Sequence, residues 1–363
     1  MNHVESMALW AQLKEAGLTR GEAPAASDVA TPWYVRAMLG IAGWIGALFL
    51  LGFVAVGFKF IIQSTVVMLM VGALLCAAAT AMFRIKSDND FISQFGFAVS
   101  LTGQVLILFG LGKHFSWHMQ VIAPLMAAIQ VALFLLIPNF LHRVWSATMG
   151  LYAMVLAVNS LGLFAYAHAL LIGVFIVIWL NEFRYPQHAA PMRALGYGIA
   201  LFILFILFTP DYYWMSESWW NRHAYSPIGG RLSVWLGTGL VGLALVWTTR
   251  KLLSRVGLAA GSRPGRVALA GAVILALVSL KAPGIALATT MLIIGYAHGN
   301  RVLTGLGILG LLVYLAHLYY ALQFTLLEKS VLLMCCGATL LAVRLALHRW
   351  QPAPPDKEGN RRA

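Results

Sequence analysis

Residues 144–181 read VWSATMGLYAMVLAVNSLGLFAYAHALLIGVFIVIWLN, 38 consecutive positions without an Asp, Glu, Lys or Arg. A helix that crosses the hydrocarbon core of a bilayer needs roughly 20 apolar residues, with a range of about 17–25. The stretch is too long for one span and suited to two. Asn159-Ser160-Leu161-Gly162 supplies the turn chemistry that divides it into 144–162 and 164–180.

The rest of the chain matches this pair. Of its 363 residues 61% are hydrophobic and 10% charged, and the mean hydropathy is +0.81. Soluble domains average about 45–50% apolar and about 25% charged. An ordinary soluble globule, a disordered chain and a fibrous repeat are all excluded. Ten further apolar segments lie near 37–58, 62–83, 92–112, 120–137, 194–209, 232–249, 267–280, 283–298, 302–321 and 329–348. The expected fold is all-α, a polytopic membrane domain over 37–349 with about twelve transmembrane helices. Segments 267–280 and 283–298 are short and divided by Lys281-Ala282-Pro283-Gly284. They fit either two spans or a re-entrant pair buried in protein.

Three parts are expected outside the lipid. Within 1–36, residues 7–16 predict an amphipathic helix with Leu9, Trp10 and Leu13 on one face and Gly17 as its stop. A linker from Pro24 to Pro32 follows. Residues 1–35 carry Glu5, Lys14, Glu15, Arg20, Glu22 and Asp28 and no apolar core of a signal peptide. The loop 210–231 is rich in Tyr and Trp, and the tail 350–363 is polar, proline-bearing and expected to be disordered.

The formal charge of +13 would suggest nucleic acid in a soluble protein. No basic stripe interleaved with aromatics occurs in a polar segment, so no nucleic-acid partner is expected. Lys and Arg instead collect on the cytoplasmic side of membrane proteins. With the N-terminus inside, only Lys59, Lys113, Arg222, Arg231, Lys281 and Lys329 of the 25 Lys and Arg fall outside. This 19-to-6 bias predicts an even number of spans with both termini cytoplasmic.

Candidate functional residues are few. Ionisable groups inside a membrane are costly and mark function, and the spans hold almost none. Gln104 and Gln130 are the intramembrane polar contacts expected, as bonds between helices worth about 0.6–2 kcal/mol each. Glu328 fits a capping box with Thr325. The patterns Gly237-Thr-Gly239-Leu-Val-Gly242 and Gly305-Leu-Gly307-Ile-Leu-Gly310 match G-x-G-x-x-G, as Gly96, Ser100 and Gly103 form a stripe on the third span. A dinucleotide fold would need a preceding strand and a later acidic residue. Inside apolar spans these are helix-packing surfaces. His114 and His118 stand four apart but lack an intervening Glu and a nearby third ligand, so no metal site is assigned. His168 and His317, the latter with Tyr314 and Tyr320, either line an outer polar pocket or belong to the aromatic belt. Cys76, Cys335 and Cys336 offer no disulfide framework and no C-x-x-C. In the outer loop, Trp219, Trp220, Arg222, His223 and Arg231 combine flat apolar faces with cationic forks. That set suits a ligand or partner surface for a sugar or lipid phosphate, or an interfacial anchor. Neither a catalytic set nor a cofactor site can be assembled.

Several stretches together resemble one family. They are Leu9-Trp10-Ala-Gln-Leu13-Lys-Glu-Ala-Gly17, Pro32-Trp33-Tyr34-Val35-Arg36 and Gly40-Ile-Ala-Gly43-Trp44. Ser93-Gln94, Gly103-Gln104, residues 295–303, Tyr319-Tyr320 and Thr325-Leu-Leu-Glu328-Lys329-Ser330 follow. The chain is similar to the domain-of-unknown-function family 4401 of multi-pass bacterial inner-membrane proteins. The resemblance implies no known activity. It does imply a companion, a membrane-anchored protein with a GDYXXLXY motif, and that motif is absent from this chain. The function expected is a non-enzymatic component of a complex with that companion. A transporter or flippase for a lipid-like or small apolar substrate, or a membrane transferase working through the outer loop, are the alternatives.

Overall fold

The computed structural model describes residues 3–17, 63–85, 90–159, 164–182, 184, 186–209, 229–280 and 282–321, with scattered positions at 38–57 and 327–341. Regular structure among the described residues is helical throughout. The helices are α1 (His3–Glu15), α2 (Thr65–Ile85), α3 (Asp90–His114), α4 (Met119–Leu136), α5 (Phe140–Asn159), α6 (Phe164–Leu180), α7 (Ala189–Phe208), α8 (Gly229–Arg255), α9 (Arg263–Ser279), α10 (Pro283–Ala297) and α11 (Arg301–Ala321). The chain forms two compact units, Met1–Ala153 and Met154–Ala363.

Helix α1 begins four residues before the expected 7–16 and ends at Glu15. Gly17 stops it, with φ +69° and its N–H donating to Lys14 O at 3.0 Å. Glycine takes up this left-handed geometry without a Cβ clash. Trp10 and Leu13 are half-buried, while Met7 is exposed.

In the first unit, α2 and α3 pack at close range because glycine faces glycine. A Cβ on Gly72 would lie 2.8 Å from Gly103 O, and one on Gly103 would lie 2.7 Å from Gly72 O. Phe83, Phe97, Ile107, Ile122, Met126, Leu133 and Ile137 fill the interior. Between α3 and α4 the chain reverses through Ser116 and Trp117, both at positive φ. The Trp117 ring lies over Gly112, where a Cβ would be 2.7 Å from its carbons.

In the second unit, among the described residues, α10 packs against α6, α7, α8, α9 and α11. Its Ala286, Leu287, Ala288, Met291 and Ile294 are fully buried. Gly299 (φ +63°) and Asn300 turn the chain from α10 into α11. Asn300 N donates to Gly295 O at 2.9 Å and Gly299 N to Tyr296 O at 3.1 Å. Asn300 Oδ1 then accepts from Leu303 N at 3.1 Å and caps α11.

Among the described residues five helices are long and apolar enough to cross a membrane: Thr65–Ile85, Ser93–His114, Met119–Leu136, Pro186–Phe208 and Arg301–Tyr320. Two shorter apolar helices are His168–Leu180 and Pro283–Ala297. The chain is thus a helical, membrane-embedded protein, and the expected twelve spans are not reached among the described residues. The reasons are physical. Half of segment 37–58 and most of segment 329–348 lie outside those residues. Helix α10, with 15 residues, is about 22 Å long against a hydrocarbon thickness of about 30 Å. Its surroundings are protein, so it need not meet lipid at both ends.

Candidate functional site: a buried polar chain in the first unit

Helices α3, α4 and α5 bring six polar side chains together in the interior. Gln130 Nε2 on α4 donates to Gln104 Oε1 on α3 at 2.9 Å. Trp145 Nε1 on α5 donates to the same oxygen at 3.3 Å. Gln104 Nε2 donates to Ser100 Oγ, one turn earlier on α3, at 3.1 Å. Ser100 Oγ pairs with His142 Nε2 of α5 at 2.8 Å. His142 Nδ1 pairs with Ser146 Oγ at 3.2 Å. Ser100 and His142 are fully buried, and Gln104, Gln130 and Ser146 are buried.

The donor inventory fixes the direction of this chain as far as Ser100. The indole of Trp145 can only donate, so the Gln104 carbonyl must face it and the Gln104 amide must face Ser100. Ser100 Oγ accepts from Gln104 and pairs with His142 Nε2, and the tautomer of the imidazole sets which of the two serines donates to the ring and which accepts from it. Phe83 and Phe97 enclose the imidazole edge-on, at ring-centroid distances of 5.7 and 5.9 Å. At the start of α5, Asn139 Oδ1 accepts from His142 N at 3.1 Å, and Asn139 Nδ2 donates to Ser93 Oγ at 3.3 Å.

Ser100 and His142 look like a nucleophile and its base. Both are sealed between helices, and the second imidazole nitrogen faces a hydroxyl where a hydrolytic triad has a carboxylate. This geometry joins helices and gives a substrate no approach.

At one end of the first unit, arginines close a helix C-terminus. Arg143 Nε donates to Phe134 O at 3.1 Å and its guanidinium lies 5.8 Å from the Phe134 ring centroid. Arg84 reaches Leu136 O at 3.5 Å. The second unit repeats the device, with Arg255 donating to Leu180 O at 2.5 Å. Cations at the C-terminal carbonyls of a helix complement its dipole. In the second unit Arg193 is also ion-paired with the buried Glu182. Tyr197 and Asn300 exchange hydrogen bonds at 3.1 and 2.8 Å.

The sequence candidates fall out unevenly. Gln104 and Gln130 meet directly. Ser100, singled out only as part of a small-residue stripe, is a hydrogen-bonding hub, while His142, Trp145 and Ser146 were missed. A signal for them existed: Ser100/Gln104 and His142/Ser146 are each four apart on apolar helices. His118 Nδ1 faces Phe115 O at 2.5 Å, and among the described residues no three of His, Cys, Asp and Glu gather as a metal site. Tyr314 is buried against Gly284 while Tyr320 is exposed, so these two do not share a pocket. Trp219, Trp220, Arg222, His223 and Glu328 lie outside the described residues. Arg231 falls within α8, which begins at Gly229, so the loop is shorter at that end than the sequence suggests.

A family model described as domain of unknown function (DUF4401) matches residues 32–350. The match covers most of the chain, and the protein belongs to this family of helical membrane proteins. No curated protein and no solved structure matches it.

Proposed function

We propose that this protein is a non-enzymatic, membrane-embedded scaffold that holds a companion membrane-anchored protein of the GDYXXLXY type. The buried polar chain carries the reading. In the first unit the interior glutamines, serines and histidine bond to one another, whereas a transport path needs such groups facing an aqueous route. A rigid core leaves the outer surfaces as the working parts. Helix α1 and the aromatic loop 210–228, with Trp219, Trp220, Arg222 and His223, are the partner surfaces in this reading.

The same proposal places the chain in a bacterial inner membrane with about twelve spans and both termini cytoplasmic. Arg84, Arg143 and Arg255, all assigned to the cytoplasmic side by charge, each close a helix C-terminus, which supports that assignment. A periplasm-dependent reporter fused after Ala363 is expected to stay silent, and activity there would reverse the topology.

The deciding experiment is affinity purification of the full chain from native membranes, with identification of what co-purifies. Deleting residues 1–30 is expected to leave the core inserted but to weaken recovery of the companion. Unchanged recovery would remove α1 from the interface, and failure to recover any membrane partner would sink the scaffold reading.

A further inference from the structure

The hairpin between α8 and α9 carries Arg250, Lys251, Arg255, Arg263 and Arg266 within 17 residues that contain no Asp or Glu. Only Arg255 has a described partner, the Leu180 carbonyl. Arg250, Lys251, Arg263 and Arg266 are exposed and without an ion pair among the described residues. Glu182, the one carboxylate among the described residues of this unit, is already paired with Arg193.

The hairpin has a defined shape. Gly257 (φ +75°) turns the chain just past Arg255, the last residue of α8, with Leu258 N donating to Leu253 O at 3.0 Å and Gly257 N to Ser254 O at 3.3 Å. Ser262 then caps α9 by accepting from Gly265 N at 3.2 Å. Between these fixed points lies an open depression of about 390 Å³ lined by Arg250, Ser254, Gly257, Leu258, Ala259 and Ala260. The N–H groups of Ala259 and Ala260 have no backbone acceptor among the described residues. Successive free amides beside cations make a concavity suited to an anion.

An apolar track leads into this depression. Leu236, Leu240, Leu243 and Trp247 are exposed along α8, and their spacing of three and four continues to Arg250 and Ser254. One face of the helix thus runs from aliphatic side chains through a tryptophan to an arginine. That order matches acyl chain, interface and headgroup in a phospholipid.

We propose that this face binds one anionic phospholipid, with its phosphate at the Arg250–Ser254–Ala260 depression and an acyl chain along Leu236, Leu240, Leu243 and Trp247. A free phosphate would use the depression but not the track. The test uses the purified full chain in neutral detergent. Dioleoyl phosphatidylglycerol, dioleoyl phosphatidylcholine and sodium phosphate are added separately. Retained lipid is counted by native mass spectrometry, and thermal melting is followed in parallel. Phosphatidylglycerol is expected to remain bound and raise the melting temperature, while phosphatidylcholine and sodium phosphate do neither. Arg250→Gln, which removes the cation lining the depression, should weaken phosphatidylglycerol binding about fivefold, and adding Arg263→Gln and Arg266→Gln, which removes two further exposed cations of the hairpin, should weaken it again. If the triple variant does not fold, Arg250→Gln alone should still show its step of about fivefold. Equal retention by the folded variants would overturn the site. Protection by sodium phosphate equal to that by phosphatidylglycerol would overturn the lipid as its occupant.

Discussion

The first unit ties α3, α4 and α5 together with side-chain hydrogen bonds, whereas the second clamps α10 among its neighbours by removing side chains. Gln104 alone takes part in three bonds. In the second unit a Cβ on Gly307 would lie 2.7 Å from Leu292 Cα, and one on Gly295 would lie 2.5 Å from Thr304 N. Lipid tails are as apolar as leucine, so burial alone gives helices little reason to associate in a membrane. Close packing and interhelical hydrogen bonds supply the rest. A hydrogen-bonded joint specifies register through donor and acceptor positions. A glycine joint specifies it through backbone contact that cannot yield.

The largest expected effect follows from that last point. Gly307→Ala forces a methyl group against the Leu292 backbone and should cost about 2–3 kcal/mol, the upper range for overpacking. Gly305→Ala, two residues away with nothing within 4 Å, should be neutral or gain up to about 1 kcal/mol from helix propensity. Thermal melting of both variants in detergent checks the pair, and equal stability would break the account of the second unit.

A smaller loss is expected in the first unit. Gln104→Leu leaves the Gln130 amide buried without its Gln104 acceptor and takes the same acceptor from the half-buried Trp145 indole N–H, at a cost of about 1–3 kcal/mol. Adding Trp145→Phe should return part of it, because the indole N–H that bonded to Gln104 is removed with its partner. No recovery in the double variant would separate Trp145 from the network.

Gln130→Leu is the smallest of the series. It removes one hydrogen bond, but also the buried Oε1 of Gln130, which has no partner among the described residues. These effects oppose each other, so the net change should stay below about 1 kcal/mol. A larger loss than for Gln104→Leu would invert the assignment of Gln104 as the hub.

The contrast between the units was only partly legible beforehand. Gln104 and Gln130 stand out as amides in apolar runs, because a polar group in lipid must find a partner. Which partner depends on the facing of two helices, and spacing along one chain does not encode that. His142 escaped notice because it lies at the start of its helix, where a histidine reads as interfacial. The glycine patterns were recognised as packing surfaces, yet their letters do not say which glycine matters. Gly239 and Gly305 meet nothing within 4 Å, while Gly242 and Gly307 each face a neighbouring helix at close range. The division of 144–181 near Asn159 was legible because length alone demands it. The central position of α10 was not, because a short apolar run reads the same way whether protein or lipid surrounds it.

The arginine clasps also set an order in time. The Phe134 carbonyl meets Arg143, nine residues later in the chain, while the Leu180 carbonyl waits for Arg255, 75 residues further on. At about 5–20 residues per second, the first interval is roughly 0.5–2 s and the second roughly 4–15 s. During synthesis the end of α4 can close almost as soon as it emerges. The end of α6 must stay hydrated until α8 is complete, so the second unit reaches its final form only after about half of its chain has left the ribosome.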